Sequence, residues 1–218
     1  MAGRWWIVVC VLLAAGVGLA SLYVLGPTPD VELPVLMRLP DFSLTERSGR
    51  AVSLQDLAGQ VWVANFVFTH CTGPCPLLSA QMQGLQAEVR DLEGVRLVSF
   101  SVDPDRDTPE VLRAYADGFE AHPEKWLFLT GMRHVMYDLI RNGFKLGVQG
   151  PATDHKAHPG SDRMPATGQV SEPGQILHTL RFALVDREGR VRGYYDGTDP
   201  SLSEKLGSAV RQLLSEGS

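Results

Sequence analysis

The chain has 218 residues, of which 44% are hydrophobic and 21% charged, and its formal net charge is −5 at pH 7. This composition is normal for a globular protein and excludes disordered and collagen-like chains. Because the charge balance is acidic and the charges are spread along the chain, the basic stripe of a nucleic-acid binder is absent, and we expect no nucleic-acid partner.

A membrane-spanning segment is predicted at the N-terminus. Arg4 precedes an uncharged stretch of 21 residues, from Trp5 to Leu25, which at about 1.5 Å per residue is long enough to cross a hydrocarbon core about 30 Å thick. We expect residues 1–25 to form a transmembrane anchor, with a cleaved signal peptide as the alternative. Both would export the rest of the chain, and the positive charge before the span keeps the N-terminus inside. The predicted location is a bacterial cytoplasmic (inner) membrane, single-pass, with the soluble domain on the outer, periplasmic face.

The remaining residues divide into a tether and one domain. Residues 26–38 contain several prolines and little periodicity, which is typical of an extended tether. Residues 39–218 have the length of one domain, whose core is large enough to fold without disulfide or metal cross-links.

The domain shows alternating strand and helix patterns. Apolar, β-branched runs predict buried strands, and apolar residues spaced three or four apart predict helices. In chain order the pattern predicts a hairpin (Asp41–Thr45 and Ala51–Leu54), a strand (Val61–Phe68), a helix (Leu77–Val89, with Pro76 in its first position), a strand (Val95–Val102), a helix (residues 109–121), a strand (Trp126–Leu129), a helix (Met132–Asn142), an extended stretch (Phe144–Val148), a hairpin (Leu177–Val185 and Val191–Tyr195) and a helix (Leu202–Leu214). This order indicates an α/β sandwich with a mixed central sheet and a βαβ crossover.

Two cysteines of the domain lie in the loop between a predicted strand and a predicted helix. Cys71 and Cys75 fall between the strand Val61–Phe68 and the helix that begins at Pro76, whereas Cys10 lies in the predicted anchor. A thiolate at a helix N-terminus is stabilised by the helix dipole, so we expect a lowered thiol pKa. A disulfide across so short a loop stabilises little, and the pair is therefore expected to be reactive rather than structural.

The spacing of the pair favours a metal ion. Three residues separate Cys71 from Cys75, one more than in the commoner redox motif. Thiolates select Cu(I), zinc or iron–sulfur centres, but iron–sulfur clusters and structural zinc sites generally need four protein ligands. Cu(I) accepts two or three ligands and fits a domain with two cysteines. Thiol–disulfide exchange by the same pair stays open as an alternative.

Six histidines are available as a third ligand: His70, His122, His134, His155, His158 and His178. We expect His122 and His134 to be surface residues, and the His70 side chain to point away from its neighbour Cys71. His155 and His158 lie in a Gly-, Pro- and Ser-rich loop, residues 149–175, whose length is typical of a functional or mobile loop. They are candidates for a weak secondary metal site.

Three stretches together resemble the Sco/SenC family of membrane-anchored, thioredoxin-like copper proteins. They are FTHCTGPCP at residues 68–76, SVDPDRDTP at residues 101–109, and His178-Thr179 leading into LVDREG at residues 184–189. The resemblance covers residues 39 to the C-terminus and includes the preceding anchor. It implies a thioredoxin-like fold for the copper-binding domain, copper bound by Cys71 and Cys75 with His178 as third ligand, and delivery of copper to the binuclear centre of cytochrome c oxidase subunit II.

Two functions follow from this reading. The first is a copper metallochaperone, which carries Cu(I), or Cu(II) with the imidazole, and is not an enzyme because it transforms no substrate. The alternative is a thiol–disulfide oxidoreductase that keeps the recipient's cysteines reduced through Cys71 and Cys75 without His178. A peroxiredoxin-like peroxidase comes third, since no arginine adjoins the cysteines to activate a thiolate.

Overall fold

The apolar runs of the chain form one mixed sheet. The computed structural model describes residues 32–146 and 179–216. Within these residues the strands are β1 (Met37–Arg38), β2 (Ser43–Glu46), β3 (Ala51–Ser53), β4 (Val61–Val67), β5 (Val95–Ser101), β6 (Trp126–Thr130), β7 (Arg181–Val185) and β8 (Arg190–Asp196). Their order across the sheet is β1-β8-β7-β4-β5-β6-β2-β3.

The central strand is β4, which is buried at every position. It pairs in parallel with β5, from Val61 opposite Val95 to Val67 opposite Ser101, and β5 pairs in parallel with β6. On its other side β4 pairs antiparallel with β7, with Trp62 opposite Val185. The carboxyl ends of β4, β5 and β6 therefore share one edge of the sheet with the start of β7. Ligands of open α/β sheets commonly bind outside this edge.

Helices pack on the sheet. They are α1 (Cys75–Glu88), α2 (Pro109–Gly118), α3 (Arg133–Asp138), a π-helical turn (Leu139–Gly143), α4 (Leu202–Ser215) and a short 3-10 turn (Leu54–Leu57). The start of α2 is fixed by Thr108, whose side chain accepts a hydrogen bond from the backbone N–H of Val111, and by Pro109 in the first turn. The α1 and α4 helices pack against each other and against β4.

An aromatic cluster fills part of the core. Phe66 of β4 lies with its ring centroid 5.7 Å from that of Phe100 and 5.1 Å from that of Phe144, and Trp62 lies 6.2 Å from Phe144. Such edge and offset contacts add to the hydrophobic gain from burial. Because Phe66 also lines a small cleft beside Cys75, this cluster packs close to the end of β4 that leads to the two cysteines.

The mixed α/β architecture predicted from the sequence is confirmed, with differences at three places. The packed unit begins at Leu33 rather than at Leu39, because Leu36 donates a backbone hydrogen bond to Val191 and Arg192 donates to the carbonyl of Leu33. Residues 144–146 are irregular rather than extended, since they follow the π-helical turn. Strand β7 begins at Arg181, later than the sequence predicts.

The sequence predicts a membrane-spanning segment at the N-terminus only. Among residues 32–146 and 179–216, no helix is long and apolar enough to cross a bilayer. Residues 1–25, where the anchor is predicted, lie outside the described part of the chain.

Candidate metal site

The two cysteines lie at the carboxyl edge of the sheet. The chain leaves β4 at Val67, turns so that the N–H of Cys71 donates to the carbonyl of Phe68 at 3.3 Å, and enters α1 at Cys75. Both cysteines are free thiols; Cys71 is half-buried and Cys75 is 4% exposed. One sulfur is thus within reach of solvent or a partner, while the other belongs to the protein interior.

Apolar side chains surround Cys75. A cleft of about 10 Å³ beside it is lined by Phe66, Phe68, Pro74, Cys75, Leu78, Val102, Thr179 and Leu180. This volume holds about one water molecule at most. Neither a hydrated ion nor a bulky substrate fits in this cleft.

The surroundings of Cys75 make its thiol a weak acid. Its pKa is raised to about 12, chiefly by burial and then by the side-chain hydrogen bond with Cys71, while a backbone hydrogen bond with Phe68 acts in the opposite direction. The expectation that the helix N-terminus lowers the pKa is therefore wrong for Cys75, because loss of hydration outweighs the dipole. A metal ion must displace this proton to bind the sulfur.

We expect the two thiols to react at very different rates. Iodoacetamide should modify Cys71 first, since the thiolate is the nucleophile and Cys75 is both buried and protonated. Below its folded-state pKa the thiolate fraction of Cys75 grows with pH, so its alkylation rate should rise about tenfold per pH unit from about pH 7 to about pH 10. Mass spectrometry of peptides from the reduced protein measures both rates. Faster modification of Cys75 than of Cys71 would contradict the described geometry.

The segment that follows His178 is held beside the cysteines. Leu180, 38% exposed, lines the cleft with Cys75, and its carbonyl accepts a 2.7 Å hydrogen bond from the N–H of Gly197. A Cβ at position 197 would lie 2.7 Å from that carbonyl oxygen, so glycine permits the close approach. His178 itself lies outside the described residues.

The other candidate histidines do not complete a site in the described part of the chain. His122 and His134 are exposed, as predicted, and so is His70, whose Nδ1 lies 3.0 Å from Oγ1 of Thr69. His155 and His158 lie outside the described residues. Within residues 32–146 and 179–216, no group of three or more His, Cys, Asp or Glu side chains is placed to hold a metal ion. The described donors are therefore the two sulfurs.

Polar side chains behind the site were not found from the sequence. Asp107, which precedes α2, is fully buried and accepts hydrogen bonds from Thr69 and Ser101. On α1, the hydroxyl of buried Ser79 lies 2.8 Å from that of Tyr115, and burial raises the pKa of Tyr115 to about 12. An aspartate just before a proline-started helix looks like a cap, so the sequence carries no signal for its contact with a distant loop.

Comparison with known proteins gives a consistent set of relatives. A family model described as SCO1/SenC matches residues 37–215. The SCO1 protein homolog of Bacillus subtilis is 31% identical over 184 residues, which cover 84% of this chain and 86% of the relative. A protein of Stutzerimonas stutzeri whose name describes it as copper-binding is 29% identical over 165 residues, covering 74% of this chain and 71% of the relative.

A solved structure matches the fold. BsSco, described as a member of the Sco family of cytochrome c oxidase assembly proteins with a disulfide switch, superposes with a TM-score of 0.68 at 29% identity, covering 85% of this chain and 98% of that one. The predicted thioredoxin-like architecture with a mixed sheet is thereby confirmed.

Proposed function

Because the chain belongs to the SCO1/SenC family, we propose that it is a copper metallochaperone that delivers copper to cytochrome c oxidase during assembly of the enzyme. The observation that carries the proposal is the pair of free thiols, Cys71 and Cys75, on one loop at the carboxyl edge of the sheet. The copper-binding relative and the oxidase-assembly relative support the cargo and the recipient.

The donor set fits Cu(I). The side chains of Cys71 and Cys75 are close enough to hydrogen-bond, so one ion can bind both sulfurs. Soft thiolates suit Cu(I), which is satisfied by two or three ligands. We assign the third position to His178, because the next residues, Thr179 and Leu180, line the cleft beside Cys75.

Copper is the cargo, and its transfer is an exchange of ligands. A recipient can reach the ion from the side of Cys71, the half-buried thiol, while Cys75 holds it from within. As the recipient's ligands replace the sulfurs, both thiols take up protons. The high pKa of Cys75, set chiefly by burial, favours the protonated empty state and so favours release. The proposed recipient is subunit II of cytochrome c oxidase.

Loss of either thiol should abolish the function in cells. In a strain that lacks this chain, the wild-type protein should restore cytochrome c oxidase activity, whereas Cys71→Ser and Cys75→Ser should leave it at the level of the deletion, since one sulfur does not hold Cu(I) against competitors. Cys10→Ser and a copper-free respiratory dehydrogenase are the controls. Full oxidase activity with Cys71→Ser would exclude the proposal.

We also propose that residues 1–25 anchor the protein in the inner membrane with the domain on the periplasmic face. The protein should stay in the membrane fraction through a high-salt wash, because an apolar span is held by burial in lipid rather than by charge. Protease added to spheroplasts should degrade the domain without lysis. A shortened soluble protein in the periplasmic fraction would show a cleaved signal peptide instead.

A thiol–disulfide oxidoreductase is the second candidate. The observation that favours it is the difference in exposure between half-buried Cys71 and buried Cys75, since exchange needs an accessible attacking sulfur and a resolving partner. The disulfide switch described for BsSco supports the same chemistry. This function requires no third ligand, and that difference separates the two candidates experimentally.

A further inference from the structure

We infer that Asp107 is a positioning residue for the cysteine loop: its buried carboxylate holds Thr69 in place, and through Thr69 it fixes the backbone that leads to Cys71. The copper readout of this inference rests on the proposed function. The contacts themselves do not.

The carboxylate of Asp107 joins the ends of two neighbouring strands. Its Oδ1 accepts hydrogen bonds from the backbone N–H of Thr69 at 3.2 Å and from the Thr69 hydroxyl at 2.7 Å. Its Oδ2 accepts a 2.6 Å hydrogen bond from the hydroxyl of Ser101, the last residue of β5. Thr69 lies in the turn that follows β4. The side chain of Asp107 therefore ties the start of the cysteine loop to the adjacent strand.

The role of a helix cap does not account for this residue. The cap of α2 is Thr108, whose own hydroxyl accepts from Val111. Asp107 is 0% exposed, and among the described residues no Arg, Lys or His forms an ion pair with it. A buried charge without a cation is costly unless hydrogen bonds satisfy it. Here two of the three donors belong to Thr69, so the structure directs this carboxylate toward the loop.

The tie extends to the residues beside the first sulfur. The Thr69 hydroxyl, which donates to Asp107, also lies 3.0 Å from Nδ1 of His70. The carbonyl of Phe68 accepts the N–H of Cys71. Residues 68–71 thus form a short unit that is hydrogen-bonded internally and fixed to Asp107 at its centre. Since partners of ligand-bearing segments orient the ligands, loss of the tie should weaken metal binding without removing a donor.

Three substitutions separate this role from a general loss of packing. Asp107→Asn keeps the shape and removes the charge, Thr69→Val removes the hydroxyl, and Thr69→Ser restores it. Asp186→Asn is the matched control. Asp186 is also a buried carboxylate that accepts several hydrogen bonds, among them from the N–H groups of Glu188 and Arg190. It lies at the opposite edge of the sheet, beyond Val185, which pairs with the first half of β4.

The full-length protein in detergent is titrated with Cu(I) against a chromophoric Cu(I) chelator, at a temperature where every variant retains its native near-UV circular dichroism. Asp107→Asn and Thr69→Val should each weaken Cu(I) binding by about 10- to 100-fold. Thr69→Ser and Asp186→Asn should bind like the wild type, although Asp186→Asn should melt at a lower temperature. If Asp107→Asn does not fold, the difference in Cu(I) affinity between Thr69→Val and Thr69→Ser tests the positioning role.

Several results would overturn the inference. They are wild-type Cu(I) affinity in folded Asp107→Asn, an equal loss of Cu(I) affinity in Asp186→Asn, or a loss of Cu(I) affinity in His70→Ala as large as that in Thr69→Val. The last result would show that the effect belongs to the imidazole.

If the wild type binds no Cu(I), the proposed function fails, and the inference is tested on thiol exchange alone. The equilibrium constant for reduction of the Cys71–Cys75 disulfide by dithiothreitol should then fall at least about threefold in Asp107→Asn and Thr69→Val, because the tie orders the reduced loop, whereas the bond itself orders the oxidised one. Unchanged constants would remove the positioning role.

Discussion

The reduced protein is expected to bind about one Cu(I) per chain, and the same protein carrying a Cys71–Cys75 disulfide to bind almost none. A disulfide consumes both thiolates, and the described residues contain no cluster of three or more metal-ligating side chains. The measurement is copper per protein by elemental analysis, after anaerobic loading and passage over a desalting column with a Cu(I) chelator. Complete oxidation is checked by counting free thiols in the denatured protein, which should fall from three per chain to one, that of Cys10.

Single substitutions refine the same experiment. Cys71→Ser should remove copper with little change in stability, because Cys71 is half-buried. Cys75→Ser should remove copper and also lower the free energy of unfolding by about 1–3 kcal/mol, since a hydroxyl enters an apolar cleft. Cys10→Ser should keep full copper loading. Undiminished copper uptake by the fully oxidised protein would show that the metal binds elsewhere.

The central strands were predictable because runs of hydrophobic residues in the sequence indicate buried strands. The run Val61–Val67 is apolar apart from one asparagine, and the structure places β4 there. The run Val95–Ser101 carries Val, Leu and Phe among its polar residues, and the structure places β5 there. The proximity of the two sulfurs was also predictable, because Cys71 and Cys75 lie on one short loop between a strand and a helix. Local patterns thus determined the centre of the fold and the position of the two thiols.

What the sequence did not reveal depends on contacts between distant residues. The segment from Leu33 to Arg38 looks like a tether until β8 is known to accept its backbone donors. The pKa shift of Cys75 could not be predicted from its place at the start of a helix. Side chains from other elements exclude water from the thiol, and this burial sets the direction of the shift. The contact between Asp107 and Thr69 spans 38 residues. In each case the deciding energy is desolvation or pairing that arises only after the sheet is assembled.

The substitution His178→Ala separates the two candidate functions most sharply. His178 lies outside the described residues, and its place as third ligand is a proposal. Cu(II) prefers nitrogen and additional ligands, whereas Cu(I) is satisfied by two thiolates. The variant should therefore lose stable Cu(II) binding and hold Cu(I) more weakly, through the two thiolates alone. The fold should survive, because β7 begins only at Arg181.

Three measurements on His178→Ala then decide between delivery and reduction. They are the copper bound, the equilibrium constant of the Cys71–Cys75 disulfide with dithiothreitol, and cytochrome c oxidase activity in cells. For a metallochaperone, oxidase activity should fail and added copper should restore it in part, since a weakly binding carrier is loaded by a higher copper concentration. For an oxidoreductase, exchange between two sulfurs needs no imidazole, so the disulfide constant and the oxidase activity should both match the wild type. Thr179→Ala, which alters the neighbouring residue and leaves the proposed ligand in place, is the control for local disturbance. Normal oxidase activity in a variant whose copper binding is weakened in this way would exclude delivery and leave thiol reduction as the function of the two cysteines.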